Sequence, residues 1–173
     1  MRSLSKTNLV LLTVAAFYAF FVFGFSDNLK GPVLPALLQD LKLNYALGGT
    51  ILMGIYLGFM SASITTGFIA NAYGEKVVLL LAGICMAVGM SGFTVSRVLI
   101  LLVFWMIILG FGLSSLELGC NSLIVRLYPS RRGLYLNLMA FMHGLGSMIA
   151  LLYAGWLLSM GYSWRIVYRW PLI

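Results

Sequence analysis

The chain reads as a succession of long apolar runs with short polar interruptions. It has neither the strict alternation of a half-buried strand nor the one-sided stripe of a soluble helix. About 20 apolar residues in an α-helix cross roughly 30 Å of hydrocarbon. On that measure the runs predict spans over residues 8–38, 47–70, 77–95, 98–125 and 134–158, joined by short connections. A further run starts at Ile166-Val167-Tyr168, and residues 164–173 at ~1.5 Å each reach only about halfway across, which predicts a truncated sixth span. The first run is long enough to tilt, and Gly31-Pro32 and Pro35 near its end remove donors and loosen its backbone. The predicted fold class is an all-α integral membrane bundle of five spans plus a partial sixth.

Composition points to the same solvent. With 62% hydrophobic and 9% charged residues and a mean hydropathy of +1.03, there is too little polar surface to cover a soluble core. The net charge of +7 raises nucleic acid as a partner, but Lys and Arg stand singly or in pairs at the ends of apolar runs, with no basic stripe. They report topology instead. Arg2, Lys6, Lys76, Arg126, Arg131 and Arg132 fall on one side; Lys42, Arg97, Arg165 and Arg169 fall on the other. The bias predicts a cytoplasmic N-terminus in the plasma membrane. Residues 1–7 are too short, and the following run too long, for a cleaved signal peptide, so the first span is expected to be retained. Cys85 and Cys120 lie within apolar runs without metal-ligand spacing and are expected to be packing residues.

Small residues predict how the helices meet. Gly54, Gly58, Ser61 and Thr65 recur at helical spacing in the second span, Gly83, Ala87 and Gly92 in the third, and Gly144, Ser147 and Gly155 in the fifth. Such stripes let a neighbouring backbone approach closely, as in a compact bundle.

Two acids interrupt the apolar runs. A charge near a bilayer centre costs roughly 2.5–3.5 kcal/mol even on lenient scales, so Glu117 and Asp27 are candidates for binding a proton or a polar solute. Gly110, Ser114, Glu117 and Asn121 share one helical face, as do Gly24, Asp27 and Gly31, with Asn28 adjacent and Lys30 nearby. Each acid also has a structural reading. Glu117 can be a protonated group hydrogen-bonded between helices, and Asp27 can be neutralised locally by Lys30. The single histidine, His143, is either a titrating relay or a hydrogen-bonded packing residue. No Ser-His-Asp order, His-x-x-x-His pair or phosphate loop is present, and no enzyme activity, metal or cofactor is expected. Two rivals stay open: a small accessory or scaffolding membrane protein, and an intramembrane metalloenzyme using Glu117, Asp27 and His143 as ligands.

The stretch Gly67-Phe-Ile-Ala-Asn-Ala-Tyr-Gly-Glu-Lys76 sits between the second and third spans, where the major facilitator superfamily has Gly-x-x-x-Asp-Arg-x-Gly-Arg-Arg/Lys. Gly67, Gly74 and Lys76 agree with that pattern, while Asn71, Ala72 and Glu75 depart from it, the last two replacing basic residues of the charge latch. The chain thus resembles the N-terminal half of that superfamily. Leu116-Glu117-x-x-x-Asn121, with Arg131-Arg132-Gly133, Asn137 and Gly144-Leu145-Gly146, is similar to the fucose permease group of proton-coupled sugar symporters. The resemblance implies a small polar solute and protons as partners within the lipid bilayer. It implies Glu117, Asn121 and Asp27 at the binding site and Gly67, Asn71, Gly74 and Lys76 as a gating loop; the shared helix faces add Asn28 and Ser114 to the candidates, with His143 as a candidate relay. Aligned without a gap, Gly31 takes the place of that group's helix-one acid and Asp27 lies a turn earlier. The superfamily builds each half from two inverted units, here 1–96 and 97–173, which makes the first and fourth spans repeat-mates. It also uses two halves, so this chain is expected to transport only with a C-terminal half, or to self-associate through the faces bearing Asp27 and Glu117.

Overall fold

The computed structural model describes residues 6–172; Arg2, counted above toward topology, and Ile173 of the partial sixth span lie outside them. The first apolar run folds as two helices in line, α1 (Lys6–Asn28) and α2 (Lys30–Leu41), interrupted at Leu29. Pro32 and Pro35 cannot donate back to the preceding turn, which weakens the ladder just after the break. The Val33 amide restores one link to Leu29 O at 3.3 Å. The pair forms a 36-residue apolar segment, about 54 Å at helical rise and far longer than the hydrocarbon is thick. A left-handed Lys42 ends α2, and the Asn44 side chain caps the next helix by accepting from the Leu47 amide at 2.9 Å.

The remaining spans are α3 (Tyr45–Tyr73), α4 (Glu75–Val95), α5 (Leu99–Leu127) and α6 (Arg132–Ser159). Gly74, at φ 85°, is the whole joint between α3 and α4, a backbone angle that favours glycine. Residues 164–172 form only a short helix, α7 (Trp164–Arg169), and a final 3₁₀ turn, with Ser163 capping the start. Every described helix long enough to span is strongly apolar, and five qualify. Leu11, Ile64, Phe68, Ile100 and Leu152 are 65–74% exposed on the outside, as lipid-facing side chains are.

With lipid outside, close backbone packing holds such a bundle together. The α5 helix lies at the centre, packed on α3 and α4, while α1 packs on α6 and crosses α5. Gly58 of α3 lies so near α5 that a Cβ there would sit 2.1 Å from Ile107 O and 2.7 Å from Phe111 N. Gly110 of α5 lies equally close to Ile55 O, at 2.0 Å. The α1–α6 contact repeats this pattern: a Cβ on Gly146 would meet Phe21 O at 2.1 Å and Phe25 N at 2.9 Å, and one on Gly24 would meet His143 O at 2.0 Å.

The small-residue stripes are corrected here. On α3 the buried row runs Gly54, Gly58, Ala62 and Thr66, whereas Ser61 and Thr65 are exposed and their hydroxyls bond back to Gly58 O and Ser61 O. The contact follows an i+4 ridge, which the sequence spacing alone does not distinguish from i+3 steps. On α6 the close approach belongs to Gly146; Gly144 and Gly155 have nothing within 4 Å, and neither does Gly83 of α4.

Candidate functional site

All four acids in the sequence can be located, and three are paired. Asp27 forms an ion pair with Lys30 across the helix break, which realises the local neutralisation their spacing allowed. Asp40, at the end of α2, accepts from the Trp164 indole at 3.0 Å and from Arg165, tying α7 to the first span. Glu75 accepts from Ser122 Oγ at 2.6 Å and forms an ion pair with Arg126, whose Nε lies 3.0 Å away, linking the start of α4 to the end of α5. Glu117 differs: no described side chain hydrogen-bonds or ion-pairs with its carboxylate, so the interhelical hydrogen bond of the structural reading is not formed.

The Glu117 side chain instead lines an open central cavity of about 410 Å³ formed by α1, the start of α2, α3, α5 and α6. Asp27, Lys30, Tyr56 and His143 line it too, with Phe20, Phe23, Phe59 and Ala140 completing the wall. Asp27 and His143 are close enough to act electrostatically on Glu117. The His143 ring packs against Phe23 with centroids 4.6 Å apart, and the Lys30 ammonium lies 5.7 Å from the Tyr56 ring centroid. A second cavity of about 680 Å³ continues from Glu117 along Asn121 and Ser122 to Arg126, the end assigned to the cytoplasm by charge. Glu117 is the one charged residue lining both.

Other candidates lie elsewhere. Asn28 donates to Gly24 O at 3.0 Å and to Ser147 Oγ at 2.7 Å, so it fastens α1 to α6 and does not line the cavity. Ser114 is buried against α3, with its hydroxyl 3.5 Å from Ser63 Oγ, and Gly110 faces the same helix. The face predicted on α5 is therefore split: its first two members meet α3, while Glu117 and Asn121 meet open space. Asn121 joins Glu117 in the second cavity only. The expected gating loop is almost all helix: Gly67 and Asn71 belong to the end of α3, Gly74 is the joint and Lys76 is in the first turn of α4, and all four are exposed; Glu75, read only as a departure from the family pattern, makes the pairing contact there. Tyr56 and the phenylalanines of the wall went unread because nothing in the linear pattern separates them from lipid-facing aromatics. The described residues hold no group of three or more His, Cys, Asp or Glu arranged to take a metal ion.

The family model described as Major Facilitator Superfamily matches residues 16–171. Among curated proteins, the sodium-dependent glucose transporter 1 of Rattus norvegicus is 27% identical over 142 residues, covering 82% of this chain and 29% of that protein. Its Homo sapiens counterpart is 26% identical over 136 residues, covering 79% and 26%. The gallate transporter of Pseudomonas putida is 26% identical over 165 residues, covering 91% and 35%. The chain thus spans about a third or less of the curated relatives it matches.

Proposed function

This chain belongs to the major facilitator superfamily of membrane transporters, and we propose that it is the N-terminal bundle of a permease that moves a small polar solute of the sugar type together with protons. The observation that carries the reading is the unpaired Glu117 carboxylate between two cavities, one shared with Asp27 and His143 and one leading toward Arg126. A carboxylate placed there can take a proton from the central cavity and release it toward the cytoplasm, with His143 as a relay. Asn121 lies on that exit path. The names of the glucose and gallate transporters among its relatives support a small hydroxylated solute.

Helix packing supports two inverted units, 1–96 and 97–173. Phe21, Gly24 and Phe25 of α1 correspond in one register to Ile107, Gly110 and Phe111 of α5; His143 and Gly146 of α6 correspond to Ile55 and Gly58 of α3. In that register Glu117 falls opposite Gly31, and Asp27 stands one turn away from the symmetric position. The acids are therefore unequal partners: Asp27 is engaged by Lys30, while Glu117 stands unpaired. Alternating access by two bundles rocking about a midplane site supplies the cycle, and the plasma membrane with a cytoplasmic N-terminus is the proposed setting.

The test uses a two-bundle polypeptide that begins with this chain. Glu117→Gln is expected to abolish proton-driven accumulation and to leave solute exchange at least partly intact, because Gln keeps hydrogen bonding but carries no proton. Accumulation at the parent level by this variant, or accumulation that follows a sodium gradient and ignores pH, would refute the proton reading.

A further inference from the structure

We infer that the solute bears a carboxylate and that Lys30 receives it, the ammonium being released when Asp27 takes up a proton. This deepens the transport reading and rests on it, naming the solute class as a hydroxylated monocarboxylate. The argument begins with what a cation is doing in the cavity. A neutral sugar needs hydrogen-bonding groups, which Asn, Gln or Tyr supply without the cost of placing a charge within a membrane. Lys30 is the one Lys or Arg lining the central cavity.

Its geometry suits exchange of one anion for another. Lys30 is the first residue of α2, just past the break at Leu29, and its side chain is 19% exposed. An ammonium has three donors, and the described hydrogen bond to Asp27 Oδ1 uses one. On another side the Tyr56 ring lies at cation–π distance. A carboxylate entering the cavity therefore finds a preformed cation held by a partner that can be displaced. The aromatic wall of Phe20, Phe23 and Phe59 suits the apolar face of a ring, and about 410 Å³ suits a small ligand.

Charge balance couples that exchange to a proton. With Asp27 ionised, the Asp27–Lys30 pair is neutral, and an arriving carboxylate would add an uncompensated negative charge beside Glu117. When Asp27 takes a proton, Lys30 and the solute carboxylate form the neutral pair. One proton and one carboxylate then enter together, and the proton passes onward through Glu117. The titratable groups around the Asp27–Lys30 pair are Glu117 of α5, His143 of α6, Tyr56 of α3 and Tyr168 of α7, the last within electrostatic reach of Asp27.

The experiment is equilibrium binding to the two-bundle polypeptide in lipid nanodiscs. Galacturonate is compared with galactose, and 3,4-dihydroxybenzoate with catechol, at pH of about 5.5 and 7.5. At least one carboxylate is expected to bind ~10-fold or more tightly than its neutral analogue, with affinity rising up to ~10-fold per pH unit as the pH falls, the slope of one linked proton. Whichever carboxylate shows this identifies the source, a sugar acid or a hydroxybenzoate. Lys30→Arg should keep the preference and Lys30→Gln should lose it. Asp27→Asn should keep the preference but lose the pH slope. If Lys30→Gln fails to fold because Asp27 is left alone, the double variant Lys30→Gln/Asp27→Asn removes both charges and should bind acid and neutral analogue alike. Galactose binding as tightly as galacturonate, unaffected by Lys30→Gln, would overturn the carboxylate inference and leave the sugar reading standing. Binding of none of the four probes would overturn both.

Discussion

Replacing Gly146 by Ala adds one methyl where the α1 and α6 backbones nearly touch. The new Cβ would lie 2.1 Å from Phe21 O and 2.9 Å from Phe25 N, while an ordinary C···O contact is about 3.3 Å. The obstacle is backbone on both sides, so no side chain can swing away and the two helices have to part by about 1 Å. That separation also stretches the Asn28–Ser147 hydrogen bond, now 2.7 Å. Overpacking of this kind costs roughly 1–3 kcal/mol, against which helix propensity returns up to ~1 kcal/mol for Gly→Ala. Gly144→Ala is the matched control, two residues away with nothing within 4 Å, and should be neutral or slightly stabilising. For a chain of this size each kcal/mol shifts a midpoint by roughly 2–4 °C. Thermal unfolding in detergent, followed by a thiol-reactive dye reaching the buried Cys120, should place Gly146→Ala several degrees below Gly144→Ala. If Gly144→Ala were the destabilised variant and Gly146→Ala matched the parent, the orientation assigned to α6 would be wrong, and His143 would no longer face the cavity.

Two further outcomes follow from the same arrangement. Reporter fusions after Lys6, Lys76 and Arg132 should read cytoplasmic and those near Lys42 and Ser159 external; an external signal at Lys76 would overturn the topology. Glu75→Gln should lower stability by about 1–2 kcal/mol, since the 14%-exposed carboxylate loses the charge-assisted bond from Ser122 and the ion pair with Arg126. Arg126 is 67% exposed and adds little by itself, so Arg126→Gln should cost less, and equal losses would contradict this.

Much of the fold was legible because bilayer thickness constrains run length. Five apolar runs became five helical segments long and apolar enough to span, the first as two helices in line, with ends two or three residues beyond the expected ones in most cases. The loosening expected around Gly31-Pro32 and Pro35 emerged as the break at Leu29. Glu117 was legible for a similar reason, since a carboxylate amid leucines and isoleucines stands out in any reading. Helix rotation was not legible. Spacing says which residues share a face but not which neighbour that face meets, so Asn28 and Ser114 were grouped with the site although they fasten α1 to α6 and α5 to α3. The choice between Gly144 and Gly146 failed on the same ground. Lys30 was read only as a neutraliser of Asp27, because its place in the cavity depends on Tyr56, 26 residues away on another helix. The Glu75–Arg126 pair likewise exists only once α4 and α5 have docked.

The central claim, that Glu117 carries the proton that accompanies the solute, is tested most directly by proton movement itself. Membrane vesicles containing the two-bundle polypeptide are loaded with a pH indicator, and the candidate solute is added without any imposed gradient. The account predicts acidification of the lumen in step with solute entry, and no acidification with Glu117→Gln. Acidification of the same size in that variant, or solute entry with no proton movement in the parent, would contradict it.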